Sequence, residues 1–383
     1  MIRRLARGSL ALACAGLMAG CGSQRSGTTS TPGPPTVTAP LSTSLVTAQG
    51  TWAVAVMGGS AASHNNFWQL FVRPAGASRW SLVTPEGVAD NGGLVAAGAS
   101  TSLIVGFRPS QNLAYSPLAS STDTGKNWTP GLLDAGLADT PGAMAVSPSG
   151  QTLALLQDGT IQTAPTAGAA AAGRWTPLTT LNALAASAPG RSCGLTSVVA
   201  VSFGPNKDPM AAGSCARPGV AGVFTDTGGT WRSAGLALAG KGLGQDTVQV
   251  LGLGATADGN VALLAAGNSL LAAWWNGTRW TVSDPVAASP VTASTVTALG
   301  FGADGSAWLL LGGGRAETIG GTGGSWQALP PVPPGTATLA PGTGGTYDAL
   351  AVSGSRLTVW RLAQGAWAKV QLITVPIVYG SSS

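Results

Sequence analysis

An all-β fold, a seven-bladed propeller of four-stranded antiparallel blades, is predicted by a long-period tryptophan repeat, by hairpin signals inside each period, and by the lack of long helical patterns. Trp80, Trp128, Trp175, Trp231, Trp280, Trp326 and Trp367 are separated by 48, 47, 56, 49, 46 and 41 residues. Six of these seven follow a glycine by two or three residues, and the first has Gly76 four residues before it. Periods of about 40 to 50 residues mark propeller blades or solenoid units. A solenoid wants atypical capping repeats, and none stands out here.

Inside the periods the β signal recurs. Thr295–Phe301, the turn around Asp304-Gly305, and Ala307–Leu311 read as strand, turn and strand. Val248–Leu253 and Val261–Ala265 flank Asp258-Gly259 in the same way, as Gly142–Val146 and Thr152–Leu156 flank Ser149-Gly150. Asp-Gly between apolar runs favours a hairpin because both turn positions tolerate positive φ. A third strand and a Trp-led fourth complete each unit. Leu45–Ala48 precedes Trp80 much as Leu94–Ala97 precedes Trp128, so the first blade owns an inner strand near 43–48. The alternative is that the β-rich tail Thr374–Tyr379 pairs across the closure.

Two octets carry the unit's turn chemistry. Ser121-Thr-Asp123-Thr-Gly125-Lys-Asn127-Trp128 and Phe224-Thr-Asp226-Thr-Gly228-Gly-Thr230-Trp231 both read Asp-x-Gly-x-x-Trp. Asp binds backbone N–H groups inside a turn, Gly supplies φ > 0, and Trp covers the hairpin. These octets resemble the Asp box, or BNR repeat, of sialidase-like β-propellers, with Phe224 departing from the usual Ser or Thr. Photosystem II assembly factors are similar in plan, being exported propellers that bear such boxes.

The start of the chain reads as export machinery. Arg3, Arg4 and Arg7 precede the apolar run Ser9–Met18, too short to span a bilayer as a mature helix. Met18-Ala-Gly-Cys21 resembles a bacterial lipobox, which implies a signal peptide over 1–20 and lipid attachment at Cys21. A secreted protein cleaved elsewhere is the alternative. Residues 21–42, rich in Ser, Thr, Gly and Pro, form a semi-rigid tether. The propeller is expected over 43–379, anchored by lipid on the outer face of the cell membrane. Loss of the three signal arginines takes the net charge from +5 to +2, which removes the case for nucleic acid as a partner.

Once Cys14 leaves with the signal and Cys21 takes lipid, Cys193 and Cys215 remain. They flank the two ends of an expected hairpin, Ser197–Phe203 with Met210–Ser214, where a disulfide fits an oxidising compartment. Two buried thiols are the alternative. The closed segment is worth about 3 kcal/mol in the chain-entropy picture.

Catalytic parts are sparse. The sialidase likeness implies three Arg, a Tyr–Glu pair and an Asp acid–base, yet the sequence offers only Tyr115, Tyr347 and Tyr379, and only Glu86 and Glu317. Other glycosidases need two carboxylates at a set separation, and most Asp residues fall in turns. His64 is the only histidine and reads as a solvated loop residue. The Gly312–Gly314 and Gly320–Gly324 runs read as turns rather than phosphate loops. Trp274-Trp275 reads as core rather than a sugar platform, and Asn276-Gly277-Thr278 as a hairpin turn before a glycosylation sequon. No cofactor or metal is implied, and no catalytic residue is nominated.

The expected function is a non-catalytic binding or assembly module, monomeric, that grips a protein or an acidic cell-envelope glycan. A sialidase-like glycoside hydrolase is the alternative. Repeat register places Arg108, Arg217, Arg315 and Arg356 near second-to-third-strand turns, with His64 and Asn66 in the matching loop of the first blade. Guanidinium groups suit bidentate recognition of carboxylate or phosphate. These residues are the candidate ligand face.

Overall fold

The computed structural model describes residues 42–58, 66–85, 93–108, 118–130, 141–287, 295–342 and 346–376. The signal segment, the tether to residue 41, Tyr115, His64, Glu86 and Tyr379 lie outside them. The described chain is built from antiparallel sheets taken in sequence order. The first unit is β1 (Ser42–Thr47), β2 (Gly50–Gly58), β3 (Asn66–Pro74) and β4 (Ser81–Leu82). The second is β5 (Gly93–Ala99), β6 (Ser102–Arg108), β7 (Leu118–Ser121) and β8 (Thr129–Pro130). β9 (Ala143–Val146), β10 (Thr152–Leu155) and β11 (Thr160–Ala164) lead through helix α1 (Ala167–Ala171) to β12 (Thr176–Thr180) in the third. Helices α2 (Leu181–Ala186) and α3 (Ala188–Cys193) then introduce the fourth, β13 (Leu195–Phe203), β14 (Pro209–Cys215), β15 (Ala221–Thr227) and β16 (Thr230–Ser233).

The fifth unit is β17 (Val248–Thr256), β18 (Gly259–Ala266), β19 (Ser269–Trp275) and β20 (Trp280–Val282), with a short extra strand β21 (Val286–Ala287) against β19. The sixth is β22 (Val296–Phe301), β23 (Ala307–Leu311), β24 (Arg315–Ile319) and β25 (Trp326–Ala328). The last is β26 (Thr336–Pro341), β27 (Tyr347–Ser353), β28 (Arg356–Ala363) and β29 (Ala366–Thr374). Each marker tryptophan lies within one residue of the start of a fourth strand.

The first strands of successive units touch one another: β1 with β5, β5 with β9, β9 with β13, β13 with β17, β17 with β22, and β22 with β26. β26 in turn touches β1. Alternation along each strand sends side chains to opposite neighbours. In the fourth unit, Val223 and Met210 face the fifth, packing with Leu264 and Leu271. Phe203 and Phe224 face the third, packing with Leu153 and Ile161. A strand covered on both faces must be apolar throughout, and β18 is buried along its whole length. Each such Leu or Phe contributes about 1.5–3 kcal/mol.

The first and sixth units are not separate sheets, contrary to the four-stranded expectation. β1 pairs in parallel with β22, joining Ser42 to Leu299 and Ser44 to Gly300, so eight strands share one sheet. Gly300 permits this approach. A Cβ there would lie 2.5 Å from Trp308 Nε1 and 2.6 Å from Ser44 Oγ.

Cys193 and Cys215 form a disulfide with their Cα atoms 5.4 Å apart. The bond ties the end of α3 to the end of β14, where Leu195 already pairs with Cys215.

The seam between the first and last units has an apolar core, where Met57 and Phe71 pack with Leu350 and Val359, and beside it a buried polar cluster. Asp348 on β27 is fully buried and accepts from Arg73 Nη1 at 2.8 Å and Trp80 Nε1 at 2.9 Å. Arg361 on β28 donates to it from Nε at 2.7 Å and Nη2 at 3.0 Å. Arg73 also donates to Pro341 O at 2.7 Å and lies 5.5 Å from the Trp80 ring centroid. Burial lowers the Arg73 pKa, while the hydrogen bond to Asp348 raises that of Arg361. Gln371 of β29 completes the seam, its amide accepting from Trp80 N and donating to Trp80 O, both at 2.8 Å.

The two Asp-box octets fold differently. In the first, Ser121 Oγ donates to Asp123 Oδ1 and accepts from Gly125 N, both at 2.9 Å. Asp123 accepts from Asn127 N at 3.0 Å and Asn127 Nδ2 at 2.6 Å. The Asn127 N–H, first among several donors, holds this carboxyl below the usual aspartate range. Gly125 has φ +75 and packs on Val83 and Trp128. In the second, Phe224 has no hydroxyl to organise the turn and is itself core. The chain closes instead as a two-residue hairpin, Gly228-Gly229 with φ 62 and 82, between the paired residues Thr227 and Thr230. Asp226 is thereby carried on a strand, buried, with Oδ1 unpartnered, and burial pushes its pKa up.

Asp348→Ala leaves Arg73 buried without its counter-ion and is expected to destabilise the protein by about 3–5 kcal/mol, read as a lower denaturation midpoint; an unchanged midpoint refutes the assigned role of the seam. For Asp226 the sign is that of a raised carboxyl. Its contribution is complete below the unfolded value of about 3.9 and is lost as pH rises through the higher folded value. The melting temperature of the wild type relative to Asp226→Asn should therefore fall as pH rises above about 4. A pH-independent difference refutes it.

Candidate functional site

Antiparallel strands place second-to-third-strand turns at the end opposite the Asp-box turns. At that end lies a cavity of about 660 Å³ between the first, sixth and last units. Val54, Val56 and Trp68 form one wall, and Leu311, Val332 and Pro333 form another. The described lining residues include no ionisable side chain.

The cavity is shaped by β-bulges. Register shifts leave Val199, Leu251, Thr297 and Ala337 as extra residues on the first strands of the fourth to last units. A bulge bends its strand and re-aims the extra side chain, and both Thr297 and Ala337 line the cavity. Bare backbone forms the rim where Gly313 and Gly314 turn with φ 80 and 79. A Cβ on Gly313 would meet nothing within 4 Å.

The described candidate ligand-face residues fall at second-to-third-strand junctions, and His64 lies outside the described residues. Asn66 opens β3 opposite Gly58, and Arg108 closes β6 opposite Gly93. Arg217 follows β14, is exposed, and donates its N–H to Cys193 O at 3.0 Å. Arg356 opens β28 opposite Ser353 and is exposed. Arg315 opens β24 and is exposed, but its guanidinium is already engaged. Its Nε donates to Glu317 Oε1 at 2.8 Å and its Nη2 to Ala287 O at 3.1 Å. Glu317, Arg73, Asp348 and Trp68 were not nominated from sequence. A charged residue inside an apolar strand was the available signal for the first three.

Among the described residues, several that a glycosidase could use are otherwise engaged. Glu317 is buried and paired with Arg315. Tyr347 has its pKa raised by burial, opposed by a hydrogen bond with Thr318. Trp274 is buried and donates to Gly305 O at 2.8 Å, while Trp275 packs on Trp280 with ring centroids 5.3 Å apart. Asn276 Oδ1 accepts from Thr278 N and Arg279 N, both at 3.0 Å, which makes its segment a turn.

Family models and curated proteins give no match to the chain. Among solved structures, it is similar to a candidate 6-phosphogluconolactonase of Bacteroides fragilis at 12% identity and TM-score 0.53, over 86% of this chain and 96% of that one. A second, of Bacteroides uniformis, gives 12% identity and TM-score 0.52 over 86% of this chain and 98% of that one. A structure of YCF48 bound to D1 peptide gives 16% identity and TM-score 0.45 over 90% and 94%. At such identities a likeness speaks of architecture and leaves chemistry to the residues. The architecture is that of a β-propeller.

Proposed function

We propose that this chain is an exported, lipid-anchored propeller that closes as a ring of seven blades and serves as a non-catalytic binding or assembly module. The observation that carries the binding reading is the contrast between the cavity and the carboxylates. The described cavity walls hold no ionisable group, whereas Asp348 and Glu317 are neutralised by arginines inside the sheets. Acid–base chemistry on a glycan needs two carboxylates flanking the bond. The return of β26 to β1 supports closure of the ring.

The partner is a protein or an acidic cell-envelope glycan, gripped by the turns that carry Arg108, Arg217 and Arg356, with His64 and Asn66 in the matching first-unit loop. Arg315 plays a supporting part, since its charge is already matched by Glu317. The anchor is a lipid on Cys21, and the tether holds the domain off the membrane surface.

Two tests address the parts separately. Cys21→Ala should move the protein from the membrane to the soluble fraction and abolish lipid labelling; unchanged fractionation overturns the anchor. Partner capture by the detergent-solubilised lipoprotein should fall several-fold when Arg108, Arg217 and Arg356 are replaced together by Gln, with the thermal melt unchanged. Capture at full strength by that variant overturns the basic-face reading.

A further inference from the structure

We propose that the cavity between the first, sixth and last units is a binding site for an uncharged, apolar small molecule, distinct from any acidic ligand of the arginine-bearing turns. Its volume of about 660 Å³ falls within the range of about 300–1,000 Å³ in which small-molecule pockets are found. The Trp68 ring and the Val332–Pro333 pair face it from different units, giving flat apolar walls on two sides. An ionised ligand entering there would lose water and meet no counter-charge among the described walls, a cost of several kcal/mol. A neutral apolar ligand loses nothing of the kind and gains from burial of its own surface.

The rim supplies the limited polarity that such a site needs for orientation. Gly313 and Gly314 present backbone with no Cβ in the way. The hydroxyls nearby are already committed: Thr336 Oγ1 donates to Pro333 O at 2.6 Å, Thr297 Oγ1 to Leu310 O at 3.2 Å, and Thr43 pairs with Thr338 at 2.7 Å. The site therefore selects by shape and by exclusion of charge. Bulges at Thr297 and Ala337 make the room, because the extra residue of each widens the strand pair at the cavity wall.

The test uses the full chain and the neutral fluorophore N-phenylnaphthylamine, with dodecanol and dodecanoate as competitors. The fluorophore should bind saturably, be displaced by dodecanol, and be displaced at least about tenfold less well by dodecanoate. Thr297→Glu, at an exposed bulge position, and Val332→Asp should each weaken fluorophore binding by about tenfold or more. The Arg108, Arg217 and Arg356 triple Gln variant should bind it as the wild type does. If one acidic variant melts early, the other decides. Absence of saturable binding, as when a second copy or a segment of the chain fills the cavity, overturns the proposal. So does equal displacement by dodecanoate, or binding unchanged in both acidic variants. None of these readouts depends on partner capture, so this site and the basic face can fail independently.

Discussion

The fold depends on how its first and last described units are joined, and one buried carboxylate organises the polar part of that join. Asp348 is withdrawn from water and receives two guanidinium groups and an indole N–H. Pairing of this quality is needed, since a buried charge left alone costs several kcal/mol. The interfaces between neighbouring units are largely apolar, as in the core shared by Val223, Met210, Leu264 and Leu271, and the first and last units also share one, with Phe71 packed with Leu350. Such surfaces fit many partners. The ionic seam fits only one, and it fixes which strand of the last unit meets which strand of the first.

Architecture was legible in the sequence because a repeated unit states its period many times over. Seven tryptophans reported the fourth strands, and Asp304-Gly305 and Asp258-Gly259 reported hairpins, each through local backbone chemistry. Cys193 and Cys215 were legible for the same reason, being the two ends of one hairpin. What the sequence withheld was long-range. Nothing near Asp348 announces Arg73, which lies 275 residues away. The parallel pairing of β1 with β22 rests on the bare Cα of Gly300, one glycine among 57. The bulges that open the cavity are hidden in apolar runs, where one extra residue leaves no mark on the pattern.

The second Asp box shows how a motif and its geometry can part. Both octets share Asp, Gly and Trp, but Ser121 is the residue that turns the first into a hydrogen-bonded cage. With Phe224 at that position, the backbone takes the tighter Gly-Gly hairpin and Asp226 is left facing the interior. Candidate ligand residues invite similar care. Arg315 occupies the same junction as Arg217 and Arg356, yet Glu317, two residues on along the same strand, already pairs with its charge.

Gln371 has a consequence for the ancestry and engineering of the molecule. Its side-chain amide reproduces one peptide group and occupies both backbone partners of Trp80, so the last strand holds the first unit without becoming part of its sheet. The join of the last unit to the first therefore carries a mark in Gln371 and Trp80. A duplicated or deleted internal unit would preserve that mark, whereas a chain opened elsewhere and sealed at its old ends would keep it only if the new linker left Gln371 and Trp80 in reach. Growth by whole internal units is thus compatible with this design, and exchange of the last unit for another would lose the Gln371 contact.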